Sequence, residues 1–211
     1  MKYSYTLLEL GEVIITQGIN PLIGREFSIR NNGPSKEEIR LLVDYILTYI
    51  LEEGKQIRDQ ETFGCGSWMI QFVFDATYIQ LHELKDVKDN KNIYEFDLTH
   101  TINFFRSQFD LCEEYAVSPE IPAIGQKIVV SREVYEGSEV NGVRYKSPDH
   151  MTGWYLTSNS YNGDINSLLV DHLYHLLKER PDLAKFLALP VGWRFYTDTH
   201  NKEVWFDKDT L

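Results

Sequence analysis

Hydrophobic and polar positions change period several times along the chain, and each change marks an element. Between Lys36 and Glu52, Ile39, Leu42, Val43, Ile46, Leu47 and Ile50 recur at spacings of three and four, as on a helix with one buried face. Ser35 followed by Glu38 predicts a capping box at its start, in which each residue satisfies the other's orphan backbone donor, and Glu52-Glu53-Gly54 supplies the stop. The period then falls to two. Trp68, Ile70, Phe72 and Phe74 alternate with Met69, Gln71 and Val73, which predicts a strand, and Asp75-Ala76-Thr77 turns it into a second run, Tyr78 to Leu84.

Weaker patterns fill the remainder. Tyr3 to Leu10 and Glu12 to Thr16 flank Gly11 as two short strands or one bent strand, and Glu26 to Ile29 predicts another. Lys85 to Lys91 is expected as a solvated turn. Beyond it, Asp97 or Thr99 caps a second helix whose Ile102, Phe105, Phe109 and Cys112 face the core. Lys127 to Ser131 is expected as a buried strand, Asn141-Gly142 as a tight turn into Val143 to Tyr145, and Gly153 to Ser158 as a further strand. Asp164 or Asn166 then caps a helix carrying Leu168, Leu169, Leu173, Leu176 and Leu177, ended by Arg180-Pro181, with Leu183 to Leu187 adding a helical turn. Gly192 to Thr197 and Glu203 to Phe206 close the chain as an antiparallel hairpin.

Strands interspersed with a few helices define an α+β protein. Its 211 residues allow one large domain or two small ones. Two prolines in Ser118-Pro119-Glu120-Ile121-Pro122 make that segment the expected linker, dividing residues 1–118 from 119–211. Each domain is expected to be a mainly antiparallel sheet packed with one or two helices. A hydrophobic content of 43% and 13% aromatic residues suffice for packed interiors. The apolar runs are too short for a membrane span, and Glu9 and Glu12 interrupt what would be the core of a signal peptide. A cytoplasmic location follows as the expectation, and the two cysteines, Cys65 and Cys112, agree with thiols in a reducing compartment.

Charge narrows the partners. A net charge of −11 disfavours nonspecific nucleic-acid binding and suits a basic partner. Residues 1–118 hold 11 Lys and Arg against 19 Asp and Glu, so most of the excess lies in the first half.

No complete catalytic constellation is present. Cys65, between two glycines, is a conceivable nucleophile with His82 or His100 as base, which defines a small cysteine-dependent hydrolase as an alternative function; a tight turn with a small filling residue explains the same pattern. Asp171, His172 and His175 invite a metal reading, but no fourth ligand has a telling spacing, so no metal is expected. Gly64 and Gly66 precede a strand and lack the later glycine of a dinucleotide fingerprint, and no cofactor is expected. Glu52-Glu53, Glu113-Glu114, and Asp207 with Asp209 read as solvated surface. Trp154, Trp193 and Trp205 serve core packing or an interface.

One ordered set of short motifs goes further: Ile128-Val129-Val130-Ser131-Arg132, Tyr145, Thr152-Gly153-Trp154-Tyr155, Pro181-Asp182, and Leu189-Pro190-Val191-Gly192-Trp193-Arg194-Phe195 with Asp198. Over residues 126–207 this order resembles the bacterial immunity-protein family numbered thirty-three. Met151-Thr152 stands where Asp-Ser is common before Gly-Trp in that family. The resemblance implies a noncatalytic antidote that binds a cognate toxin of a polymorphic toxin system, with no catalytic residues to carry over. Residues 1–118 have no such family, and a regulatory or interaction module without a toxin partner stays open. If there is a contact surface, it is expected first at the polar loop holding Ser158, Asn159, Tyr161, Asn162 and Asp164, with Trp154 holding that loop in place, and at the acidic face of the first domain.

Overall fold

The computed structural model describes residues 3–88, 91–137 and 139–211. They form two compact units, divided along the chain between Arg106 and Ser107, and each is built on its own sheet in an α+β arrangement.

The first unit holds β1 (Thr6–Leu10), β2 (Val13–Gln17), the one-turn helix α1 (Asn20–Ile23), β3 (Glu26–Arg30), α2 (Lys36–Glu52), β4 (Thr62–Cys65), β5 (Trp68–Phe74), β6 (Tyr78–Lys88) and β7 (Lys91–Glu95). Its seven-stranded sheet runs β1-β2-β3-β6-β5-β4, with β7 paired to β6, and only β3 and β6 run parallel. Helix α2 begins where expected. Ser35 Oγ accepts from Glu38 N and Ser35 N donates to the Glu38 carboxylate, completing the capping box. All six apolar residues of its stripe are buried, against Phe27, Ile29, Ile70, Phe72, Ile79 and Leu81. Burial of side chains of this size contributes roughly 1.5–3 kcal/mol each, so packing outweighs the roughly 1 kcal/mol of the cap.

Where a solvated turn was expected from Lys85 to Lys91, β6 continues to Lys88 and β7 starts at Lys91, while residues 89–90 lie outside the described residues. A charged stretch enters the ladder because its ions pair across it: Lys85 bonds to the Glu95 carboxylate.

The second unit begins within α3 (Thr99–Glu114) and continues through β8 (Lys127–Ser131), the one-turn α4 (Glu133–Glu136), β9 (Val140–Arg144), β10 (Met151–Thr157), β11 (Leu168–His172), α5 (Leu173–Glu179), β12 (Trp193–Thr197) and β13 (Lys202–Phe206). Tight helical turns cover Ile165–Ser167 and Pro181–Ala188. The six-stranded sheet runs β11-β8-β10-β9-β12-β13, with β8 and β10 parallel and the other neighbours antiparallel.

Four expectations need revision here. Ser118–Pro122 lies inside the second unit, because a residue before it and one within it bond to the Pro181–Ala188 turn: Gln108 Nε2 donates to Ala184 O at 3.1 Å and Glu120 N to Ala188 O at 2.8 Å. On α3, Ile102 and Cys112 are buried but Phe109 is exposed, and Gln108 takes an inward position because its amide reaches the Ala184 carbonyl. The helix expected from Leu168 starts only at Leu173; Leu168 to His172 form β11, whose backbone groups pair with the outer edge of β8. Asn141-Gly142 is no turn but the interior of β9, and Gly142 is required there because the Phe195 ring covers it.

Candidate functional site

The two aromatic motifs of the second half meet in its core. Trp154 is fully buried and donates from Nε1 to Leu187 O at 2.9 Å; its ring lies 5.4 Å from that of Phe195, which stacks on Phe186 at 4.2 Å. Gly153 bends β10 into this position with φ +80°, where a Cβ would meet Tyr145 O at 2.3 Å. Trp154 is thus frame.

Arg144 secures the same layer, and no sequence pattern marks it. The residue is 8% exposed, and its guanidinium donates to the carbonyls of Thr152, Glu120, Leu187 and Leu189, the last two of which are backbone acceptors at the end of the Pro181–Ala188 turn. Burial lowers its pKa from the ordinary arginine range, and the Glu120 carboxylate at 3.8 Å opposes that shift.

The loop residues expected as partner contacts divide by burial. Ser158 is buried: its Oγ lies 2.7 Å from Ser160 Oγ, and its N–H reaches Ser131 Oγ at 3.4 Å, so it anchors the loop. Asn159, Asn162 and Asp164 are exposed and Tyr161 is half-buried. Asn159 Oδ1 accepts from Asn141 Nδ2 at 2.9 Å and its side chain also bonds to Tyr196, which ties the loop to β9 and β12. Asn162 Oδ1 accepts from Asp164 N, and Asp164 Oδ1 from Asn166 N, turns that hold the polar groups in place.

The loop borders a face of the sheet that sequence spacing did not reveal. Residues directly opposite in paired strands project to the same side. The register Trp205↔Arg194↔Val143↔Tyr155↔Val129↔Val170 therefore places one residue from each of the six strands in a single row. The adjacent row on the opposite face, Val204, Phe195, Gly142, Leu156, Val130 and Leu169, includes the core residues. The helical turns meet that core face, as the Trp154 and Phe195 contacts show. On the other face the row ends in Trp205, 39% exposed, and Val170, 61% exposed; Arg194, Val143 and Tyr155 are half-buried and Val129 is buried. Arg194 lies 5.7 Å over the Trp205 ring and pairs with Asp207 at 2.8 Å, which holds the Asp207 carboxyl below its usual pKa. Beside this row runs a more polar one containing Glu203, Tyr196, Asn141 and Thr157. Tyr196 Oη donates to Asp198 Oδ2 at 3.0 Å, which raises the Tyr196 pKa, while hydrogen bonds from Asn201 and from the backbone of His200 and Asn201 hold Asp198 ionised.

The alternative chemical candidates are separated or closed off. Cys65 ends β4 rather than standing on an open turn; it is fully buried, and burial pushes its thiol pKa well up, away from a reactive thiolate. His82 bonds to Gln80 and His100 Nδ1 to the buried Glu83 carboxylate at 3.1 Å. Asp171 Oδ1 lies 2.7 Å from His175 Nδ1 and its Oδ2 accepts from Tyr135 Oη at 2.7 Å; burial opposes the shift, but these bonds lower its pKa from the ordinary aspartate value. Asp171 and His172 stand on β11 and His175 on α5, so they do not share the continuous helix expected of them. Among the described residues, no group of three or more His, Cys, Asp and Glu side chains is placed to hold a metal ion. No helix among them is long and apolar enough to cross a membrane.

A sheet face with partly exposed aromatic, aliphatic and arginine side chains suits protein recognition better than bond-making chemistry. Residues 107–207 match the family model described as the Imm33-like domain. The match starts where the second compact unit starts, upstream of the motifs from which the resemblance was read. It gives the C-terminal part of the chain an immunity-protein-type character and implies a protein partner. No curated protein and no solved structure gives a significant match to the chain.

Proposed function

We propose that this protein is a noncatalytic antidote that neutralises a bacterial toxin by binding it directly in the cytoplasm. The observation that carries the proposal is the Imm33-like match over residues 107–207. The net charge of −11 supports a basic partner, because opposite charge speeds association at low ionic strength. The hydrolase alternative loses its support at Cys65, whose thiol is buried.

Coexpression with the toxin encoded beside this gene tests the proposal. The expected result is restored growth together with a complex that copurifies. Absence of both would sink the reading for that toxin.

A further inference from the structure

We infer that the docking surface of the second unit is its open sheet face, centred on the row from Trp205 to Val170, and that it receives a basic protein surface with an apolar centre. This rests on the toxin-binding reading above and assigns it a surface.

The row has the composition of an interface core. Trp205 and Arg194 stack at one end, Val143 and Tyr155 occupy the middle, and Val170 lies open at the other end. Tryptophan, tyrosine and arginine are the residues in which binding energy concentrates. Six strands at about 4.8 Å spacing make the row roughly 24 Å long, a dimension suited to a folded partner. The hydrogen bonds of the strands hold it rigid before binding, so little conformational entropy is lost on docking.

Its rim gives the sign of the partner. At the end of the sheet where Asn159 bonds to Asn141 and Tyr196, the acids are Asp164 on the loop, Asp198 after β12, Glu203 on β13 and Glu139 before β9. Of the bases near that end in sequence, Arg132 follows β8, and Lys202 is tied to Glu114 at 2.7 Å. At the opposite end of its strand, Arg194 is paired with Asp207. A row of apolar and aromatic groups with a polar, acidic rim at its Asn159 end, and the exposed Lys127 at the opposite end of the same face, fits a protein surface that is basic where it meets Asp164, Asp198 and Glu203, whereas nucleic-acid phosphates would be repelled by those acids. Asn159, Asn162 and Asp164 thereby become rim contacts, and Ser158 their internal anchor.

The test uses the full chain and the purified polypeptide encoded by the adjacent reading frame, with affinity and association rate measured across a salt series. Trp205→Ala and Val170→Glu alter exposed side chains, and their thermal unfolding confirms the fold. Each is expected to weaken binding tenfold or more. Asp164→Lys combined with Glu203→Lys is expected to slow association at least fivefold at low salt and to flatten the salt dependence. Glu12→Lys, the same type of charge change in the first unit, is expected to leave the affinity within twofold. Wild-type binding unaltered by both Trp205→Ala and Val170→Glu would overturn the inference while leaving toxin binding intact, as would association that accelerates with added salt. If the wild-type chain neither binds nor protects, the toxin-binding reading falls and this surface assignment falls with it.

Discussion

The ring of Phe195 lies so close over Gly142 that a Cβ at position 142 would sit 2.1 Å from Phe195 Cε1. Two adjacent strands approach there without an intervening side chain, and Trp154 completes the layer beside them. Gly142→Ala must displace a buried ring and is expected to cost about 2–3 kcal/mol. Gly163→Ala, where φ is +87° but the space is open, is expected to cost about 1 kcal/mol. Urea unfolding of both variants checks the order; equal losses would show that Phe195 yields.

Arg144 is expected to contribute more to stability than its single charge suggests. Replacing it by Met removes the donors that serve the carbonyls of Glu120, Leu187 and Leu189, at an expected cost of about 3 kcal/mol. Arg144→Lys should recover less than half of that loss, since one ammonium cannot reproduce the guanidinium's spread of donors. Melting temperatures of the two variants provide the comparison, and a lysine variant as stable as wild type would count against the multiple-carbonyl role.

The Ser35–Glu38 capping box fixes the start of α2 at an exposed position. Ser35→Ala is expected to destabilise the first unit by about 1 kcal/mol. Ser35→Asp, which preserves a side-chain acceptor, should restore most of it. Denaturant midpoints distinguish a cap from a merely tolerated residue.

His100 gives a pH signature. Its hydrogen bond to Glu83 raises its pKa above the usual histidine value, and burial opposes this. A folded pKa above the unfolded one means that the contribution is fully present below about pH 6.5 and is lost as pH rises through the folded value. The stability difference between wild type and His100→Gln should therefore be larger at about pH 6 than at about pH 8.5. Parallel stability curves for the two proteins would refute the linkage.

Both cysteines should resist modification while the protein is folded. Cys65 and Cys112 are buried, and burial raises both thiol pKa values, with Arg144 opposing the shift at Cys112. Iodoacetamide labelling followed by mass spectrometry should be slow in buffer and rapid in denaturant, and Cys65→Ala should retain any protection against the toxin.

Local patterns determined much of this fold. The stripe from Ile39 to Ile50 with its Ser35 cap identified α2, and the alternation from Trp68 to Phe74 identified β5, because a helix or strand with one buried face must repeat apolar residues at its own period. The ordered motifs around Trp154 and Trp193 pointed to the Imm33-like family, although their residues are mainly core and frame. Leu168 to Val170 fit a helix as readily as a strand, and only pairing with β8 decided between them. Likewise Asn141-Gly142 carries a turn signal that the covering Phe195 ring overrides. The row from Trp205 to Val170 left no mark in sequence order, since its six members come from six strands whose neighbours are set by long-range backbone pairing. The sequence by itself determined the local elements, the acidity and the family resemblance; the tertiary structure decided which side chains share a face, because hydrogen bonds between distant strands set their register.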